Sequence, residues 1–225
     1  MTTPQIIAHR GASRERPENT LAAFRRAADL GADAVELDVH RAADGTIVVH
    51  HDPLLADGRA ITSVTGAQLA PLRVRGEPIP TLQAVLAGVG DALVVYCELK
   101  GAGSAAGAVG LLAATGSAID RHAVHAFDHR LVAEARRLAP GLARGVLEVS
   151  YPVQPVAAAE AVGARDLWRH WEYVDEALVT VTHAAGHRVI AWTVNDADVM
   201  RRFAAFGVDG LCTDDVALAR RTLDP

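Results

Sequence analysis

No apolar run in this chain reaches the roughly 18 residues of a membrane span, so stable membrane insertion is not expected. Cysteine is scarce: Cys97 and Cys212 are the only two, each inside an apolar strand-like run. Two isolated thiols cannot build a disulfide framework or a thiolate metal site, and both are read as buried and reduced. Positive charge is short as well. The net charge is −5 and the pI about 6.0, which argues against nucleic acid or an anionic membrane as partner. Met1-Thr2-Thr3-Pro4 runs straight into Gln5-Ile6-Ile7-Ala8 with no basic or apolar leader region, so a cytoplasmic location is the expectation. No G-x-G-x-x-G follows the first strand, which argues against a dinucleotide-binding sheet.

What the chain does have is alternation. Its 225 residues are 50% apolar, enough for one sizeable core. Ile6-Ile7-Ala8 reads as a strand, and Leu21, Phe24 and Ala28 take helical spacing up to a stop at Gly31. Ala34 to Val39 is the second strand. Asp44-Gly45 then marks a hairpin into Ile47-Val48-Val49, and a two-residue turn there would set Asp38 opposite His51. Residues 53–80 are rich in Gly and Pro and read as an excursion over one face, with a short helix near 65–72. Thr81 is a good N-cap for the next helix. Further strands are expected at 93–97, 123–127, 143–147, within 166–171, at 188–192 and at 208–212, with helices between. Eight strand–helix alternations predict an α/β fold, a (β/α)8 TIM barrel with a small hairpin and loop insertion after the second strand. It is read as one catalytic domain over 1–225, with the insertion at roughly 53–80.

Chemistry in such a barrel sits at the carboxyl ends of the strands. Those ends carry His9 and Arg10, then Glu36 and Asp38, then Glu98 and Lys100, then Trp192, and Asp214 after the last strand. His51 returns on the hairpin. Residues two apart on a strand share a face, so Glu36 and Asp38 project side by side and repel unless a cation lies between them. Glu36, Asp38 and Glu98 would supply oxygen to one divalent cation, Mg²⁺ or Ca²⁺. Zinc is disfavoured because its His and Cys ligands lack suitable spacing. Arg10 and Lys100 can hold phosphate oxygens. His9 and His51 titrate near neutrality and can serve as general acid and base. Trp192 is read either as core or as a wall of the substrate pocket. His50 is read as structural. His40, His122, His125, His129, His170, His183 and His187 are read as surface or packing residues.

These residues occur in a recognisable string. His9-Arg10-Gly11-Ala12, Pro17-Glu18-Asn19-Thr20, Glu36-Leu37-Asp38-Val39, His51-Asp52-Pro53, Glu98-Leu99-Lys100, Ala191-Trp192-Thr193-Val194-Asn195 and Thr213-Asp214 resemble the signature of the glycerophosphodiester phosphodiesterases. The resemblance runs in order along nearly the whole chain. It implies a (β/α)8 barrel, a divalent cation, and hydrolysis of glycerophosphodiesters to sn-glycerol 3-phosphate and an alcohol. It implies His9 and His51 as the acid–base pair, Glu36, Asp38 and Glu98 as metal ligands, and Arg10 and Lys100 as phosphate contacts. It adds Phe127 beside Trp192 as pocket lining, and a cyclic phosphate opened by water. Ala126 departs from the serine often found there in the family. Two alternatives stand beside this reading. One is a lysophospholipase D type releasing a cyclic or lysophosphatidic product. The other is a non-catalytic barrel that binds phosphorylated ligands.

The insertion at 53–80 is short, leaving little protein for a large alcohol. Glycerophosphocholine should therefore be turned over faster than a lysophospholipid. Competing the two substrates in one assay checks this, and faster loss of the lysophospholipid would contradict it.

Overall fold

The computed structural model describes residues 3–224; the Met1-Thr2 start lies outside them. In chain order the strands are β1 (Gln5–His9), β2 (Ala34–Arg41), β3 (Ile47–Val49), β4 (Arg73–Val74), β5 (Glu77–Pro78), β6 (Val94–Leu99), β7 (Ala123–Ala126), β8 (Ala143–Glu148), β9 (Asp166–His170), β10 (Arg188–Trp192) and β11 (Gly210–Thr213). β1, β2 and β6 through β11 are parallel neighbours, and the β1–β2 pairing closes them into an eight-stranded barrel ringed by helices. The expected (β/α)8 architecture is what forms. The early helices start and stop as their termini require. The Thr20 and Thr81 side chains cap Leu21–Asp29 and Leu82–Val89, and Gly31 takes the left-handed conformation (φ 79°) that releases the chain into β2. Among the described residues, no helix is long and apolar enough to cross a membrane.

The two faces of each strand have separate tasks. Outward residues such as Ile6, Ala8, Val35, Leu37, Val95, Cys97 and Val124 pack beneath the helices. Ala126 belongs to this outer layer, so its side chain faces away from the barrel interior. Inward residues form a smaller central cluster: Ile7, Ala34, Tyr96, Ala123, Leu147, Trp168, Ile190 and Cys212. Trp168 fills the middle, edge-on to Tyr96 at 5.2 Å between ring centroids and stacked on His125 at 4.2 Å. At the amino ends of the strands, Tyr96 Oη donates to Gln5 Oε1 (2.9 Å) and Arg188 lies 3.6 Å from buried Asp166. Two residues above the central cluster, the strand period brings His9, Glu36, Glu98, His125, Trp192 and Asp214 to the opposite mouth.

The hairpin differs from expectation by one residue. β2 and β3 pair Val39 with Val49, His40 with Val48 and Arg41 with Ile47. The Ala42 amide donates to Thr46 O and Gly45 lies at φ 88°, so the turn has three residues, Ala43 to Gly45. The longer turn places His50 opposite Asp38 (His50 N to Asp38 O, 3.0 Å) and moves His51 one step beyond. β2 is long enough for two partners on one edge. β1 takes Ala34 to Glu36, and β3 takes Val39 to Arg41 above the barrel.

The excursion carries the expected short helix, Gly66–Leu69, with a capping box from Thr65 and Gln68. It also holds the β4–β5 ribbon and a separate apolar cluster of Ala42, Val48, Leu55, Ile61, Val64, Leu69 and Ile79.

An added Cβ at Gly145 would lie 2.6 Å from Trp168 Cδ1. Gly145→Ala should therefore cost about 1–3 kcal/mol by overpacking. Denaturant unfolding checks it, and an unchanged midpoint would mean that the indole yields freely.

Candidate active site

Three acids meet at the open mouth. Glu36 (3% exposed), Asp38 (0%) and Glu98 (8%) are all buried. Asp38 faces Glu98 across the β2–β6 pairing, and Glu36 faces His9 across β1–β2. The cations come from the turns that follow the strands. Lys100 Nζ stands 2.7 Å from Glu98 Oε1 and 3.1 Å from Asp38 Oδ1. Arg10 Nε stands 3.2 Å from Asp38 Oδ2, and its Nη1 donates to Glu18 (3.0 Å). Arg10 sits at φ 55°, followed by Gly11 at φ 83°. A Cβ at Gly11 would meet Ala23 at 2.7 Å, so the left-handed turn that carries Arg10 needs glycine there.

Asn19, also left-handed at φ 57°, donates from Nδ2 to Asp38 Oδ2 (2.8 Å) and accepts from the Asp38 amide (3.3 Å). In the sequence Asn19 reads only as part of a helix start; its bond to Asp38 depends on a turn that sequence reasoning does not resolve. Burial raises the Asp38 pKa, but Lys100, Arg10 and Asn19 outweigh it and the net shift is down. Glu98 goes the other way. Burial, Asp38 and Glu36 push it up to about 8 against the pull of Lys100. Asp38 Oδ1 has no hydrogen bond of good geometry despite the nearby ammonium. The site thus keeps buried carboxylate lone pairs that its own cations leave unused.

The two histidines are held differently. His9 Nδ1 donates to Asp214 Oδ1 at 2.7 Å. Asp214 also accepts from Ser13 Oγ (3.0 Å) and Asn195 Nδ2 (2.6 Å), and lies just past β11. Burial raises the Asp214 pKa, but these three bonds bring it down to about 2. Burial lowers the His9 pKa, yet Asp214 and Glu36 outweigh it and the net shift is upward. His51 is half-buried beyond β3, and its Nδ1 lies 2.8 Å from Asp52 Oδ1. Its backbone carbonyl is met by His40 Nε2 at 3.1 Å, so His40 supports the loop that presents His51.

These groups line one cleft of about 430 Å³ together with Phe127 and Trp192. Phe127 and Trp192 meet edge to face at 5.5 Å and form its apolar wall. Of the residues singled out from sequence, His9, Arg10, Glu36, His51, Glu98, Lys100, Phe127 and Trp192 line the cleft, and Asp38 lies directly behind Arg10 and Lys100. One histidine has a place beyond the packing expected of it. His125, read as a surface or packing residue, is 1% exposed and lines the same cleft, with Glu36 and Glu98 beside it. Inward alternation on β7 was its only signal, and that signal cannot be used without the barrel register.

A closed β/α barrel with paired histidines and basic groups over buried acids at the carboxyl ends of its strands is the arrangement of a phosphodiester-cleaving enzyme. Residues 9–218 match the Glycerophosphoryl diester phosphodiesterase family. The glycerophosphodiester phosphodiesterase of Caldanaerobacter subterraneus subsp. tengcongensis is 33% identical over 93% of each chain. An Oleispira antarctica phosphodiesterase, solved with its product sn-glycerol-3-phosphate, superimposes with a TM-score of 0.88 at 28% identity, over 99% of this chain and 98% of that one. The glycerophosphodiester phosphodiesterase of Thermotoga maritima gives 0.82 at 28% identity, over 98% and 99%. The chain belongs to the glycerophosphodiester phosphodiesterase family and is an enzyme of that activity, which removes the non-catalytic alternative.

Asp214→Asn removes the carboxylate that raises the His9 pKa. With burial then unopposed by that bond, the His9 pKa should fall. NMR titration of the imidazole in both proteins checks the direction, and an unmoved His9 would mean that Asp214 does not control it. The linkage to stability has two ends. The contribution of His9 is present below about 6.5 and is lost as pH rises through its higher folded pKa. That of Asp214 is present above about 3.9 and is lost as pH falls through its depressed value.

Proposed function

We propose that this enzyme hydrolyses small glycerophosphodiesters to sn-glycerol 3-phosphate and an alcohol, with a divalent cation and with His9 and His51 as its acid–base pair. The observation that supports this most strongly is one cleft lined by both histidines, both cations and two of the three buried acids. Arg10 and Lys100 hold the non-bridging phosphate oxygens and orient phosphorus between the two imidazoles. His9, kept in one tautomer by Asp214, and His51, oriented by Asp52, exchange protons with the attacking and leaving oxygens. The wall of Phe127 and Trp192 shelters the glycerol carbon chain. The family resemblance implies attack by a substrate hydroxyl and a cyclic phosphate that water opens.

The donor set suits a hard cation: three buried carboxylates, one with its pKa pushed up by burial and by its acidic neighbours and one with an oxygen lacking a hydrogen bond. Glu36, Asp38 and Glu98 would hold it, and when bound it would supply charge to balance the phosphorane-like transition state.

One observation favours the lysophospholipase D type as a second reading. A larger cleft, lined by Leu54, Leu55, Leu72, Val74 and Ile79 with Arg73 and Arg75, adjoins His50 and Asp52. It offers apolar surface near the hairpin that presents His51.

Phosphorus NMR distinguishes these readings. Glycerol 3-phosphate should form from glycerophosphocholine and glycerophosphoethanolamine, and chelator should stop it. His9→Ala and His51→Ala should each lower turnover by roughly 10²–10⁴-fold. Retained turnover in both variants would sink the acid–base assignment. A cyclic or lysophosphatidic product accumulating from a lysophospholipid would favour the second reading.

A further inference from the structure

We infer that His125 is a nitrogen ligand of the cation site and biases it toward manganese-class ions over calcium. This rests on the reading of a divalent cation at Glu36 and Glu98, and departs from the all-oxygen set suggested by the sequence.

Four observations carry it. First, carboxylate oxygens of Glu36 and Glu98 and a ring nitrogen of His125 all lie within 4.8 Å of one another. Second, Glu98 and His125 are direct partners across β6 and β7, so both project into the mouth from the same level of the barrel. Third, His125 Nε2 stands 3.7 Å from Glu36 Oε1. That is beyond hydrogen-bond reach. Ligand atoms each about 2.1 Å from a shared ion sit roughly 3.0–3.5 Å apart, so a few tenths of an ångström of closure would bring this pair to ligand spacing. Fourth, the imidazole is 1% exposed and its Nδ1 has no hydrogen-bond partner. With no protein partner at Nδ1 to fix the tautomer, the ring can carry its proton there and leave Nε2, the nitrogen facing Glu36, as the unprotonated ligand atom.

The ring is aimed without a hydrogen bond. It stacks on Trp168 with the planes 10° apart. Trp168 is in turn confined by Tyr96 and by the space left at Gly145. The stack thus orients the ring, as a hydrogen-bonded carboxylate or carbonyl does for most ligating histidines. Asp38 keeps one oxygen without a hydrogen bond beside Arg10, Lys100 and Asn19, and His125 would add its nitrogen to the three carboxylates from the β7 side.

The consequence is selectivity. Calcium favours six to eight oxygens at flexible distances, whereas imidazole suits first-row transition ions. One nitrogen among buried carboxylates, held by a stacked ring, favours the smaller ion.

The test uses the full-length protein freed of metal and loaded with Mn²⁺ or Ca²⁺ alone. Pulsed EPR of the Mn²⁺ form should show ¹⁴N coupling. His125→Phe, which keeps a ring against Trp168, and His125→Gln should both lose that coupling. Both should bind Mn²⁺ at least about tenfold more weakly by calorimetry, with Ca²⁺ affinity little changed. His9→Ala should retain the coupling. Its absence from the unsubstituted protein, or its persistence in both position-125 variants, would overturn the assignment while leaving a carboxylate cation site intact. If neither ion binds the unsubstituted protein, the divalent-cation reading itself falls, and this inference with it.

Discussion

Mutual repulsion among Glu36, Asp38 and Glu98 is the constraint around which the mouth of the barrel is built. Three carboxylates with almost no exposure cannot share one rim without positive charge. Arg10 and Lys100 provide part of it, and both follow directly on strands whose neighbours carry the acids. The left-handed turn at Arg10-Gly11 and the left-handed Asn19 serve the same end, because each brings a donor onto Asp38. Asn tolerates that backbone region better than most residues. Lys100 does not fully offset the other influences, and burial together with Asp38 and Glu36 leaves the Glu98 carboxyl pushed up to about 8. The residual negative potential is what a cation and a phosphodiester arriving together would meet.

The rest of the barrel keeps this strained arrangement in place. Its centre is a packed aromatic stack rather than a channel, with Trp168 against Tyr96 below and His125 above. A rigid floor matters because catalytic groups must hold their geometry within fractions of an ångström. The helices contribute from outside, burying the outward strand faces and leaving the inward faces to chemistry. The hairpin contributes from above. β2 continues past the barrel, pairs with β3, and delivers His51 to a cleft whose other histidine comes from β1.

Much of this was legible in the chain. Strand period alone put Glu36 beside Asp38, and Glu98 on the same face as Lys100. Thr20 and Thr81 announced their helices through the chemistry of their hydroxyls, and Gly31 announced a stop through its missing Cβ. Register was harder. Asp44-Gly45 signalled a turn, but its length of three residues depends on how Gly45 and Thr46 settle against Ala42, and one residue decides which histidine faces Asp38. His51 reached the cleft even so, because it lies past the paired strand, where the chain bends back over the mouth.

What the sequence by itself determined is local: which segments are strands, which ends are polar, and which residues share a face. Those follow from backbone period and side-chain chemistry within a few residues. What only the tertiary structure decided is which distant faces converge. Asp214 is 205 residues from His9 and holds it at 2.7 Å. His125 sits on a strand that shows no metal spacing and arrives beside Glu36 and Glu98 because the β6–β7 register aligns it there. Closure of a barrel joins its first strand to its last, and no local pattern encodes a contact made by closing a ring.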